Sequence, residues 1–150
     1  MTRISTTSSH ESFAIELVSA GVGRIIVADF TETFHMDLTF WDPEHYEKSW
    51  ASALRRVDEA DLTTSCLVSS ITDPRAANFV LCWPLYRVHG DIFVQNSLII
   101  LGDLDQDFDP ERPWFSVGPR EVVDEDGHNI SEWRVDVAAV RRFRAASGWS

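Results

Sequence analysis

The chain is short of basic charge. Its 150 residues hold 13 Lys+Arg against 24 Asp+Glu, a formal net charge of -11. A nucleic-acid binder shows a basic stripe, and a peripheral binder of anionic lipid shows a basic patch; this balance excludes both classes. The chain also has no long hydrophobic run, since no apolar stretch approaches the roughly 18 residues that span a bilayer. Its opening segment, MTRISTTSSHE, is polar and rich in Ser and Thr, without the apolar centre of a signal peptide. The expectation is a cytoplasmic protein with no membrane and no nucleic acid among its partners. Cysteine is scarce: Cys66 and Cys82 stand apart, without C-x-x-C or zinc-ligand spacing. Each lies in an apolar run and reads as a reduced thiol packed as a small hydrophobe.

Catalytic signatures are missing as well. There is no G-x-S-x-G and no H-E-x-x-H. Gly21-Val22-Gly23 runs straight into a strand, so it is no phosphate cradle. His10, His35, His45, His89 and His128 are scattered without metal-ligand spacing. The residues therefore predict neither an enzyme nor a cofactor or metal.

What the chain does have is enough length for one domain that buries roughly 70% of its unfolded surface. Its six Trp and nine Phe can dominate such a core. Residues 1–11 read as a disordered tail and residues 12–146 as a single domain. Phe13, Ile15 and Leu17 share one parity, and the Gly21/Gly23 turn leads to Ile25-Ile26-Val27, which together predict a β-hairpin. Phe34, Met36, Leu38 and Phe40 alternate with His35, Asp37, Thr39 and Trp41 and predict a third strand, with the first four on its apolar face and the other face polar until Trp41. The period then changes. Asp42-Pro43-Glu44 is a helix start, and Tyr46, Trp50, Leu54 and Val57 follow at helical spacing to an end near Glu59. Strands are expected at Leu62–Ile71, Phe79–Val88 and Ile92–Leu101, the last two joined as a hairpin through His89-Gly90-Asp91. Pro84 marks an edge, a bulge or a strand end, because it donates nothing to a ladder. Residues 102–120 read as loop, Asp124–Gly127 as a turn after Glu121–Val123, Glu132–Val135 as a strand and Val137–Ala146 as a closing helix capped by Asp136. The class predicted is α+β: a mainly antiparallel twisted sheet of about six or seven strands, with one central and one C-terminal helix.

The negative charge is concentrated. Residues 103–126 hold nine acids and two arginines, while residues 127–150 hold two acids and four arginines. Asp103, Asp105, Asp107, Asp109 and Glu111 fall on every second position. Such spacing resembles a calcium loop, but position 6 is Phe108 where the sharp turn needs Gly, and position 12 is Trp114 where a bidentate Glu belongs. Three readings remain open for this segment: a solvated acidic loop, a small cation- or ligand-binding module using residues 103–111, or a face for a basic protein partner. Trp114-Phe115 follows directly, either tucking the loop onto the core or serving as an interface anchor.

Long ordered motifs add a resemblance. The stretch FAIELVSA…GRIIVADFTETFHMDLTFWDPEHYEKSWASALRRV holds Ala28-Asp29-Phe30, then Trp41, Glu44, Tyr46, Glu47, Trp50, Ala53 and Leu54. Downstream come WPLYRVHGDIFVQNSLIIL, FDPERPWFSVGPRE and EDGHNISEW. In this order they resemble the immunity proteins of bacterial contact-dependent growth inhibition, of the CdiI type, over residues 12–144. The resemblance implies an intracellular antitoxin that binds and neutralises the C-terminal toxin domain of a delivered effector, without catalysis. Toxins of such systems are often basic nucleases, for which an acidic inhibitor makes electrostatic sense. The toxin-binding candidates are then Asp103, Asp105, Asp107, Asp109, Glu111, Trp114, Asp124, Glu125 and Asp126.

Overall fold

A computed structural model describes residues 12–149; the expected tail, 1–11, lies outside them. Three strands open the chain: β1 (Phe13–Ser19), β2 (Val22–Val27) and β3 (Phe30–His35). They form an antiparallel meander in the order β1-β2-β3. Helix α1 (Pro43–Glu59) follows, then β4 (Thr64–Ser70), β5 (Phe79–Val88), β6 (Asp91–Gln95) and β7 (Ser97–Ile100). After a long connection come β8 (Glu132–Asp136) and α2 (Val137–Ser147). The second sheet is antiparallel and runs β4-β5-β6-β8, with β7 also paired to β5. The class is α+β as expected, with eight strands divided between two sheets among the described residues.

Helix α1 forms where its start signals predict. The Asp42 carboxylate accepts from the His45 N–H at 2.8 Å, and Pro43 sits where its missing N–H costs nothing. Its stripe of Tyr46, Trp50, Ala53, Leu54 and Val57 is fully buried. Burying each large side chain of that stripe stabilises by on the order of 2 kcal/mol. Polar atoms carried inward are satisfied there. Trp50 Nε1 donates to the Val68 carbonyl at 2.8 Å, and Ser65 Oγ donates to the Ala53 carbonyl at 2.8 Å. The two sheets meet across aromatics, with Phe30 stacked on Trp133 at 3.8 Å and both close to Trp83. Gly23 is required at this junction, since a Cβ there would stand 2.6 Å from the Phe34 ring. Cys66 and Cys82 are buried free thiols, and burial beside Cys82 pushes the Cys66 thiol well up.

Three expectations need correction. The third strand does not extend over 34–40. Its ladder ends at the pair Val22↔His35, because beyond one last bond, from the Met36 N–H to the Gly21 carbonyl at 2.9 Å, the chain preceding β2 turns away into β1. Asp37 then accepts from the Thr39 N–H at 2.9 Å and turns the chain toward α1. Leu38 and Phe40, read as core, are partly exposed, and Trp41 on the other parity is buried instead. The run Ile92–Leu101 is two strands. Both keep one register on β5, and the gap between them faces Trp83 and Pro84, where Pro84 lacks a ladder N–H. Asp136 holds the N-cap position of α2 as expected, but its side chain makes no cap hydrogen bond there.

Candidate functional site

The connection from β7 to β8 carries the acidic segment. It starts with a 3-10 turn, Leu101–Asp103, and is pinned by apolar side chains: Leu101, Leu104 and Phe108 pack against the core. Between those anchors Asp103, Asp105 and Asp107 are exposed. Here the every-second-residue pattern belongs to an anchored loop, in which inward apolar positions leave the intervening acids in water. A second 3-10 turn, Pro113–Ser116, seats buried Pro113 and half-buried Trp114. The Arg56 guanidinium lies 5.1 Å from the Trp114 ring centre and 5.7 Å from that of Phe115. Arg56 also donates to the Thr64 carbonyl at 2.8 Å, which ties this turn to both α1 and β4. Of the aromatic pair, Trp114 is thus the one that tucks in, and Phe115 is the exposed one. Farther along, the Tyr86 hydroxyl donates to the Gly118 carbonyl at 3.2 Å and holds the loop against β5.

Three adjoining grooves run along this connection. The first, about 640 Å³, is lined by Asp103, Asp105, Asp107, Asp109 and Phe115 among others. The second, about 530 Å³, shares Asp103 and Val117 with the first and reaches Glu121 and Ile130 along β7. The third, about 500 Å³, continues from Glu121 and Ile130 to Asp124, Glu125 and Asp126. Eight of the nine acids of residues 103–126 line this series. Glu121 belongs to it although motif reading passed over it. Its only sequence signal was membership of the acidic segment.

Glu111 is the exception. It turns to α1, where its carboxylate lies 3.1 Å from His45 Nε2, and the His45 ring stacks on Trp41 at 4.5 Å. It lines a separate groove with Asp42, Glu44 and Lys48. The alternating run is therefore split, with four aspartates on one face and the glutamate on another.

Both arginines of the segment are spent inside the protein. Arg112 donates to Asp109 at 3.0 Å. Slight desolvation works to raise the Asp109 pKa, but bonds from the Glu111 N–H and Arg112 outweigh it and hold the carboxyl below its usual range. Arg120 makes a two-pronged bond to Glu132 at 2.8 and 2.6 Å, with its guanidinium 3.8 Å over the Phe93 ring. That pairing first, with Gln95 behind it, keeps Glu132 below the usual carboxylate range despite partial burial. Asp103, Asp105, Asp107 and Glu121 have no basic side chain of their own segment left to neutralise them.

The 103–111 run does not converge on a cation. Among the described residues, the trio that brings three ligand atoms within 4.8 Å of one another is Asp124, Asp126 and His128. That trio is exposed, and its Asp124 oxygen already accepts from the Asp126 and His128 N–H groups at 2.9 Å. These hydrogen bonds shape the Asp124–Gly127 turn, in which Gly127 takes a φ of 82°.

A series of grooves of one sign of charge, on a scaffold whose Trp41, Trp50 and Trp83 are buried in the core, fits a protein-binding module. The comparisons with known proteins give that class a family. The sequence model of the CdiI N-terminal domain matches residues 36–143. The chain is 34% identical over 119 residues to the immunity protein CdiI of Enterobacter cloacae subsp. cloacae, covering 79% of this chain and 81% of that protein. Its structure is similar to a chain of the CdiA-CT/CdiI toxin and immunity complex from Enterobacter cloacae, with a TM-score of 0.81 and 28% identity, over 92% of this chain and 99% of that one. The chain belongs to the CdiI immunity protein family, whose members are inhibitors and not enzymes.

Proposed function

We propose that this protein binds and neutralises the C-terminal toxin domain of a cognate contact-dependent growth inhibition effector, and that the grooved acidic face of residues 103–126 steers the encounter. The reading places it in the cytoplasm of the cell that makes it. The partner is a basic domain, and a nuclease fits best, because the surface that holds phosphates on such an enzyme is the surface that attracts carboxylates. The observation that carries the proposal is the acidic face itself, on a chain of the CdiI family: eight acids line it, and both local arginines are paired internally. The Enterobacter structure, a complex of toxin and immunity protein, supports a protein partner of that kind here. Fields of opposite sign raise association rates by about 10–10³ and repel wrong partners.

The test uses the toxin domain of the cognate effector. It should co-purify with this protein in equal amounts, and the protein should protect cells expressing that domain. Failure of both sinks the proposal. The association rate should drop at least about tenfold as the Debye length shrinks from roughly 30 to 8 Å with added salt. A rate that stays flat removes the steering role alone. The isolated toxin domain should degrade nucleic acid and stop doing so at one equivalent of this protein; if it leaves DNA and RNA intact, the nuclease assignment fails.

A further inference from the structure

The β5–β7 ribbon carries an apolar surface left exposed by the described residues. Phe79 pairs with Ile100 and Leu81 pairs with Leu98 across the antiparallel ladder. Directly opposed residues of such a ladder share a face, and so do residues two apart on one strand, so these four form a single patch. All four are exposed: Phe79 by 48%, Leu81 by 38%, Leu98 by 44% and Ile100 by 50%. The alternate residues Val80 and Ile99 point the other way into the core. Single exposed hydrophobics are ordinary, but four opposed on two strands are not, and β7 adds a free edge, since its described ladder partner is β5 alone.

Two features say what covers the patch. Its β7 edge is a wall of the groove that also holds Asp103 and Glu121. Asp103 follows Ile100 within one short 3-10 turn, about 6 Å of rise. The apolar ground is thus bordered by acids that have no base of their own segment to neutralise them. A second copy of this chain, at -11, would bring those acids against their like. A basic partner is drawn to the same border. Apolar centres ringed by charge are how protein interfaces divide affinity from steering.

We propose that Phe79, Leu81, Leu98 and Ile100 form the apolar anchor of the toxin interface, seating an apolar side chain of the toxin domain that is flanked by its lysines or arginines. This rests on the toxin-binding reading above, and the experiment separates the two. The probe is that cognate toxin domain, titrated against full-length wild type and L98S/I100S. The double variant should weaken Kd about 30-fold or more through faster dissociation, with the association rate and its salt dependence unchanged. An unaltered Kd with wild type binding tightly overturns the anchor and leaves the toxin-binding reading standing. If wild type does not bind, both fall. Hydroxyl-radical footprinting of wild type needs no substitution. The four side chains should become protected in the complex, and unchanged labelling overturns the anchor even if L98S/I100S binds poorly through misfolding. If the patch is instead protected in concentrated protein without toxin, and L98S/I100S turns a dimer into a monomer, the occupant is a second copy and the proposal is wrong.

Discussion

The α1–β4 side of the molecule and the acidic connection handle charge in opposite ways. On the first, Tyr46 carries its hydroxyl inward and pairs it twice: it donates to the Asp37 carbonyl at 2.7 Å and accepts from the Ile71 N–H at 3.0 Å. Asp58, at the end of α1, accepts from the half-exposed Arg141 at 2.6 Å and from Arg144, so α2 is locked to α1 through the nearly buried pair Asp58–Arg144. On the second side, apolar anchors are few, and the segment's own bases are consumed, which leaves carboxylates in water. The difference separates what specifies the fold from what is free to meet a partner. Changes on the first side should be read in stability, and changes on the second in association.

The largest effect belongs to Trp50→Ala. It opens a cavity under α1 and strands the Val68 carbonyl, costing about 4 kcal/mol in a total stability of roughly 5–15. Urea unfolding followed by fluorescence measures it. A loss under about 1 kcal/mol would show that α1 packs far less tightly on β4 than its buried stripe implies. Asp58→Ala comes next at about 3 kcal/mol, because Arg144 would keep its charge in a buried place without a counterion. Adding Arg144→Met should recover much of that loss, since an apolar pair removes the stranded charge. A double-mutant cycle decides this, and simple additivity would refute it.

Tyr86 joins the two sides and sharpens the contrast through pH. Burial first, and then nearby negative charge, pushes its phenol up to about 12. In the unfolded chain a tyrosine titrates near 10. The folded state therefore holds the proton longer. The resulting stability is fully present below about pH 10 and lost as pH rises toward 12. Tyr86→Phe should flatten that alkaline decline, and at neutral pH it should cost about 1 kcal/mol for the lost bond to Gly118. A variant with the same alkaline slope as wild type would assign the decline to other groups.

The legible parts of the fold were those where local chemistry and tertiary packing agree. Asp42-Pro43-Glu44 sets the start of α1, and its spacing sets which face is buried. Phe79–Val88 reads as a strand and is one. The misreadings have physical causes. Alternation continued past His35, but a strand needs a neighbour, and β2 had ended. The apolar, β-branched character of Ile92–Leu101 hid the break opposite Pro84. At the candidate site, composition located the acidic segment, but sequence could not show that Glu111 turns to His45 or that Glu121 joins the grooves. The apolar quartet escaped notice because a β-branched strand looks the same whether a face is covered by its own chain or by another.

The smallest effect on the fold is the one that isolates the acidic face. Among the described residues no hydrogen bond or ion pair holds the carboxylates of Asp103, Asp105 or Asp107, so D103N/D105N/D107N removes three charges and keeps side-chain shape. Stability should change by no more than about 0.5 kcal/mol. Association with the toxin domain should slow about tenfold or more at low salt, and the slope of rate against ionic strength should flatten, while dissociation stays close to wild type. Stopped-flow rates at several salt concentrations supply both numbers. If dissociation quickens instead and association does not change, these aspartates are pressed into the contact itself. The border between steering face and apolar anchor would then run through residues 103–107 rather than at the end of β7.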